Sequence, residues 1–147
     1  LFFSLLEDKV NQLLGSLEAE MNRRLRWVDK LSALVKTQLK FWESNRGFFR
    51  ILQLEARSFV GRMEKSQQKR LKKKYFRHRE IFASLIREGI KGKKIKKISP
   101  ETATIFLTGV INGFTLGNSF EEKSRRLSYL APTIVNLFLQ GAGCRKR

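Results

Sequence analysis

Between Glu101 and Glu121 the chain runs nineteen residues without a charge, although 30% of its residues are charged. The stretch from Thr102 to Phe120 places Ala103, Phe106, Leu107, Val110, Ile111 and Phe114 at the i, i+3, i+4, i+7 spacing of one helix face. Gly109, Gly113 and Gly117 fall four apart on a neighbouring stripe. Each interior glycine costs a helix roughly 1 kcal/mol relative to alanine, so three in register point to a surface that another backbone approaches closely. A helix that is apolar or small around most of its circumference is expected to be buried on more than one side. The fold therefore has to supply a second cover.

Three covers compete. A membrane fits the length, the glycine spacing and the flanking lysines. Against lipid stand Thr102, Thr104, Thr108, Asn112, Thr115, Asn118 and Ser119, which are too many polar groups. An ordinary core position is the second reading. The third, which we adopt, sets one face against the chain's own core and the other against a second copy. The last helix, with Leu127, Leu130, Ala131, Ile134, Val135, Phe138 and Leu139 in period, supplies a second apolar stripe. Two such helices from each copy make a four-helix bundle. The candidate interface residues of this homodimer are Gly109, Gly113, Gly117, Leu127, Ile134 and Phe138.

A length of 147 residues with 41% apolar content fits one globular domain. Two prolines and almost no strand-like alternation make the expected class all-α, a bundle of about six helices. The net charge is +18, and Arg62 to Lys97 carries fifteen Lys and Arg against three Glu, a local net of +12. A lone Cys144 excludes a disulfide framework and is compatible with a cytoplasmic location. One His and one Cys, far apart, give neither a zinc site nor a nucleophile pair, and no carboxylate pair stands at a convincing spacing. No catalytic residue, metal or cofactor is expected, and the chain is read as a non-enzyme. Leu1 to Leu6 is already amphipathic without Met, cap or basic leader, as if the chain begins partway into a helix with something upstream.

The periodicity predicts a first helix from residue 1 to about Leu25 and a second capped by Asp29. Asn45-Arg46-Gly47 reads as the stop of the second. A short third helix spans Phe48 to about Val60 and is closed by Gly61. A long basic fourth runs to about Ile90, with Leu71, Tyr75, His78, Phe82, Leu85 and Ile86 facing inward. Ser99-Pro100-Glu101 opens the charge-free helix as N-cap, N1 proline and first-turn acid. Pro132 is expected to kink the last helix rather than end it. Residues 1–98 then form a pocket, 99–141 the dimerisation helices and 142–147 a tail, frayed at Arg145-Lys146-Arg147.

The bulky side chains Phe41, Trp42, Phe48, Phe49, Phe59, Tyr75, His78 and Phe82 group around short helices and outline a pocket for an apolar ligand. Asn45, Asn112 and Thr115 are the polar groups expected to orient it. His78, alone on an apolar stripe, is more often a satisfied core histidine than a proton shuttle. The cations of residues 62–97 support an alternative, a basic module that binds nucleic acid or anionic membrane directly. A solvated helix face is the plainer account of the same run.

The order of these features resembles the C-terminal domain of the TetR family of transcriptional repressors. The likeness rests on three passages: Leu1 to Glu7, Ile86 to Gly92 with Ser99 to Ala103, and Leu137 to Gly141. The resemblance implies a homodimer through the last two helices and a ligand pocket enclosed by the preceding ones. It also implies operator DNA as partner, through an N-terminal helix-turn-helix absent from this sequence. The ligand expected is an apolar inducer with an anionic end, such as an acyl-CoA, and no membrane partner is expected.

Overall fold

A computed structural model of the chain describes residues 2–120 and 126–144. Six α-helices follow one another: α1 (Phe2–Met21), α2 (Trp27–Ser44), α3 (Arg46–Arg62), α4 (Lys65–Lys91), α5 (Pro100–Ser119) and α6 (Ala131–Ala142). A 3-10 turn, Leu127–Leu130, precedes α6. Among the described residues no strand occurs, only an isolated antiparallel bridge between Ile95 and Gly143. The all-α class read from periodicity is the class observed.

Helix α2 is the centre of the bundle and packs against α1, α4, α5, α6 and the 3-10 turn. It buries Leu31, Leu34, Val35 and Leu39 along one stripe. Around these close Leu13, Leu14 and Leu17 of α1, Phe82, Leu85 and Ile86 of α4, and Leu107 and Ile111 of α5. Ile134, Val135 and Phe138 of α6 complete the core. Helix α3 is the outlier. It leaves Ile51, Leu54 and Val60 exposed, Leu54 by 73%, while Phe49 is buried.

The local punctuation is partly as the sequence indicates. Ser99 Oγ accepts from the Thr102 N–H at 3.3 Å, with Pro100 opening α5 behind it. Asp29 lies in the first turn of α2 without capping it, since Arg26 holds the N-cap position. Asn45-Arg46-Gly47 is a hinge of one residue, not a loop: Asn45 alone leaves helical geometry, and α3 starts at Arg46. α4 opens later than expected, where the side chains of Glu64 and Gln67 form a reciprocal capping box. Pro132 does not kink a long helix. It stands in the first turn of α6, where a missing N–H costs nothing, and the turn before it is 3-10. The apolar period continues across the junction because both turns face the same core.

One further expectation is corrected by the fold. Tyr75 does not join the core; it is 57% exposed. With 27 residues α4 extends about 40 Å, and the residues it buries begin only at Ile81. Residues 142–144, assigned to a tail, are held. Lys96 N–H donates to Ala142 O at 2.9 Å, and Cys144 N–H donates to Lys94 O at 3.4 Å. Residues 145–147, the rest of that tail, lie outside the described residues.

Gly89 is inside α4, not in the connection that follows it, and Trp27 explains why it is glycine. A Cβ at Gly89 meets Trp27 Cζ2 at 2.5 Å, and Trp27 Nε1 donates to Leu85 O at 2.7 Å. The edge of the indole ring occupies the space where a side chain would stand. Gly89→Ala should cost about 1–3 kcal/mol in urea unfolding, as an overpacked core does. Gly15→Ala, where nothing lies within 4 Å, should instead gain up to about 1 kcal/mol from helix propensity. Equal effects at the two positions would contradict the packing described.

Candidate functional site

A cavity of about 290 Å³ opens between α1, α2, α3, α4 and α5. Each wall follows from the stripe of its helix. α1 turns Val10 and Leu13 toward it, one turn apart, and α2 contributes Gln38, Phe41 and Trp42. Phe49 reaches in from α3, while Leu71, Lys74, Tyr75, His78 and Arg79 line it from α4. Ile105, Thr108 and Asn112 of α5 close the remaining side. The lining is aromatic and aliphatic, carries two cations, and includes no carboxylate.

Of the eleven pocket residues expected from sequence, Phe41, Trp42, Phe49, Tyr75, His78 and Asn112 line this cavity. Phe82 is fully buried beneath it, its ring 5.2 Å from His78. Thr115 lies beyond Trp42 and Phe49, and its hydroxyl donates to Ile111 O at 2.9 Å within its own helix. Asn45 serves the hinge: its amide donates to Phe41 O at 2.9 Å and its oxygen accepts from Lys9 Nζ. Phe48 and Phe59 pack on Phe2 of α1, at 5.4 and 4.7 Å between ring centroids, and not around the cavity.

Gln38 was missed by sequence reasoning, because a glutamine on an amphipathic helix is ordinarily taken as exposed. It is buried, and its side-chain oxygen lies 2.7 Å from His78 Nε2. An amide oxygen only accepts, so the neutral Nε2–H form of the imidazole donates here. Burial lowers the pKa of His78 to about 4. Trp42 Nε1 is buried without a hydrogen-bond partner among the described residues, a donor whose desolvation costs about 1–3 kcal/mol.

The second region is the far side of α5. Gly109, Gly113 and Gly117 are exposed and nothing lies within 4 Å of a Cβ built on any of them. Ile105, Phe106 and Leu116 stand beside them in solvent. Phe106 continues this surface to α6 through Phe138, at 6.3 Å between centroids, and Leu137 is exposed next in line. Leu127, Ile134 and Phe138, expected on the same surface, are instead taken up by the chain's own core. Three threonines of α5 return their hydroxyls to their own helix, Thr104 to Pro100 O at 2.6 Å and Thr108 to Thr104 O at 2.8 Å as Thr115 does to Ile111. Among the described residues no helix is long and apolar enough to cross a membrane, and no group of side chains could hold a metal ion.

Residues 24–116 match a family model described as the tetracyclin repressor-like C-terminal domain. No curated protein matches the sequence. Among solved structures, the TetR family transcriptional regulator PfmR from Thermus thermophilus is similar with a TM-score of 0.81 and 14% identity, over 99% of this chain and 75% of that one. A bacterial regulatory protein of the tetR family from Rhodococcus RHA1 gives 0.77 and 17%, over 99% of this chain and 74% of that one. The fatty acid degradation regulator FadR from Bacillus halodurans gives 0.77 and 19%, over 95% of this chain and 74% of that one.

The buried His78 makes stability fall on acidification. Below its usual value of 6.5 the unfolded chain takes up a proton that the folded chain refuses until about pH 4. Unfolding free energy should therefore drop by about 2 kcal/mol between pH 7 and 5. His78→Gln should flatten that slope in chemical denaturation. A slope unchanged by the substitution would place the imidazole in contact with water.

Proposed function

This chain belongs to the tetracyclin repressor-like C-terminal domain family, and from that premise we propose that it is the ligand-sensing, dimerising part of a TetR-like transcriptional repressor. The family is regulatory, not enzymatic. The observation that carries the ligand reading is the cavity: aromatic walls, Lys74 and Arg79 at one side, and no carboxylate among its lining. Such a site suits an apolar chain ending in an anion, since the cations stay hydrated until a ligand replaces that water with charge-assisted bonds. An alkyl carboxylate or acyl-CoA has this form. One structural relative is a fatty acid degradation regulator, which agrees with that chemistry.

Lys74 also supplies a route from the cavity to α1. It lines the pocket and donates to Asn11 Oδ1 at 2.8 Å. An anionic ligand competes with Asn11 for the same ammonium, so occupancy weakens one tie of α1 to α4. In a repressor that carries its DNA-reading domain ahead of α1, a changed α1 alters the separation of two reading heads. Those heads must meet half-sites about 34–36 Å apart. The alternative, direct binding of nucleic acid by the outer face of α4, gains less support. Arg70, Arg77 and Arg87 of that face are already held by Glu7, Glu18 and Glu80.

The dimer is proposed through the far side of α5 with the neighbouring edge of α6, the faces on which Ile105, Phe106, Leu116 and Leu137 are exposed. Gly109→Glu has room in the single chain and improves helix propensity, so the monomer should fold at least as well. In light scattering the wild type should be a dimer and this variant a monomer; a variant that remains dimeric would refute the interface. Lys74→Gln and Arg79→Gln should each weaken palmitate binding roughly tenfold while leaving a long-chain alcohol unaffected. Equal losses for acid and alcohol would count against an anion site.

A further inference from the structure

Phe49 and Trp42 stand between two spaces. On one side is the cavity that reaches His78, and on the other a void of about 10 Å³ whose walls also include Arg46, Arg50, Gln53, Thr115, Asn118 and Leu127. Both rings line both spaces, with their centroids 3.7 Å apart. Phe41 braces the pair edge-on, 5.5 Å from Phe49. The void is at the lower limit for a single water molecule, so the partition rather than the helix backbone sets where the cavity ends. We infer that the Phe49–Trp42 pair is a length gauge, fixing how long an apolar chain the pocket accepts. The inference rests on the proposed alkyl-anion ligand and names the specificity of that same site.

The geometry gives the gauge a direction. Lys74 and Arg79 come from α4, while the two rings come from α2 and α3. A chain whose anionic end is held by those cations points its other end at the rings. Beyond the rings the small space is bounded by Leu127 and Thr115 but also by Arg46, Arg50, Gln53 and Asn118, so the apolar room open to a longer chain is that of the ring itself. Removing the Phe49 ring merges the two spaces. Each methylene that then enters is worth about 0.8 kcal/mol, so two extra methylenes should change affinity roughly tenfold.

The test measures binding of straight-chain carboxylates, from hexanoate to stearate, to the 147-residue chain by calorimetry. Wild type should bind one length best and lose affinity beyond it. Phe49→Ala should move that optimum upward by at least two methylenes, with roughly a tenfold gain for the longer acid. Phe49→Leu, which keeps α3 anchored by an apolar side chain, should move it less in the same direction. Adding Thr115→Phe to the Phe49→Leu chain refills the far space and should move the optimum back. A folded Phe49→Leu or Phe49→Ala protein with the wild-type length profile overturns the gauge and leaves the ligand class standing. Wild type that binds no acid of any length overturns both.

Discussion

Helix α5 carries uncharged side chains on two sides, and the interior of one chain can fill only one of them. Ala103, Leu107 and Ile111 are buried against α2, α4 and α6, and this side fixes where α5 lies. The opposite side shows Ile105, Phe106 and Leu116 around three glycines in open space. Clustered apolar surface of this kind on a single chain marks an interaction site. The exposed residues of α6, from Pro132 to Gly141, add no charge to it. In a chain of net charge +18, a contiguous uncharged face is where two copies approach with least repulsion. The dimer proposal rests on that constraint, and the pocket lies beside that face, with Ile105 at the edge of both.

The cavity is a consequence of ring sizes. Phe41, Trp42 and Phe49 meet where α2 turns into α3, and the hinge at Asn45 is too short to let α3 pack along α2. Phe49 therefore bears much of the attachment of α3, with Phe48 and Phe59 clipped to Phe2 at its two ends. The long α4 closes the other side. It is tied to α1 through Arg70 with Glu7, Lys74 with Asn11 and Arg77 with Glu18. These exposed pairs contribute little to stability, but they set the register of the two helices that flank the pocket.

Periodicity made the helices legible, and Ser99-Pro100 located the start of α5 to the residue. What the sequence could not show was which of two good faces is filled by the chain itself. Leu127, Ile134 and Phe138 have the same apolar character as Leu137, and only the packed structure puts three inside and one outside. The cap at Glu64 was hidden because Gly61 offered a more familiar stop. Tyr75 misled because α4 outruns its core, which period alone does not reveal. The pairing of Gln38 with His78 links positions forty apart in sequence, and nothing local announces it. Six of the pocket residues were legible as a group because aromatic side chains in short helices cannot pack without gaps.

A cavity of about 290 Å³ lies at the small end of ligand sites, which run from roughly 300 to 1,000 Å³. On the proposed reading, an alkyl ligand that reaches the Phe49–Trp42 pair fills it, and α3, held through those rings, is the element whose position the fit depends on most. Its attachment through a few rings leaves Ile51, Leu54 and Val60 contributing almost nothing to the core. A ligand shifts an equilibrium only by its differential affinity for the two states. For the proposed ligand, the contact with Lys74 once it leaves Asn11 exists only in the bound state and so supplies that difference. Contacts with Leu13 or His78, present in both states, add affinity without adding response. On that proposal the pocket divides into residues that hold a ligand and residues that report it, and Lys74, which ties α4 to α1, belongs to the second group.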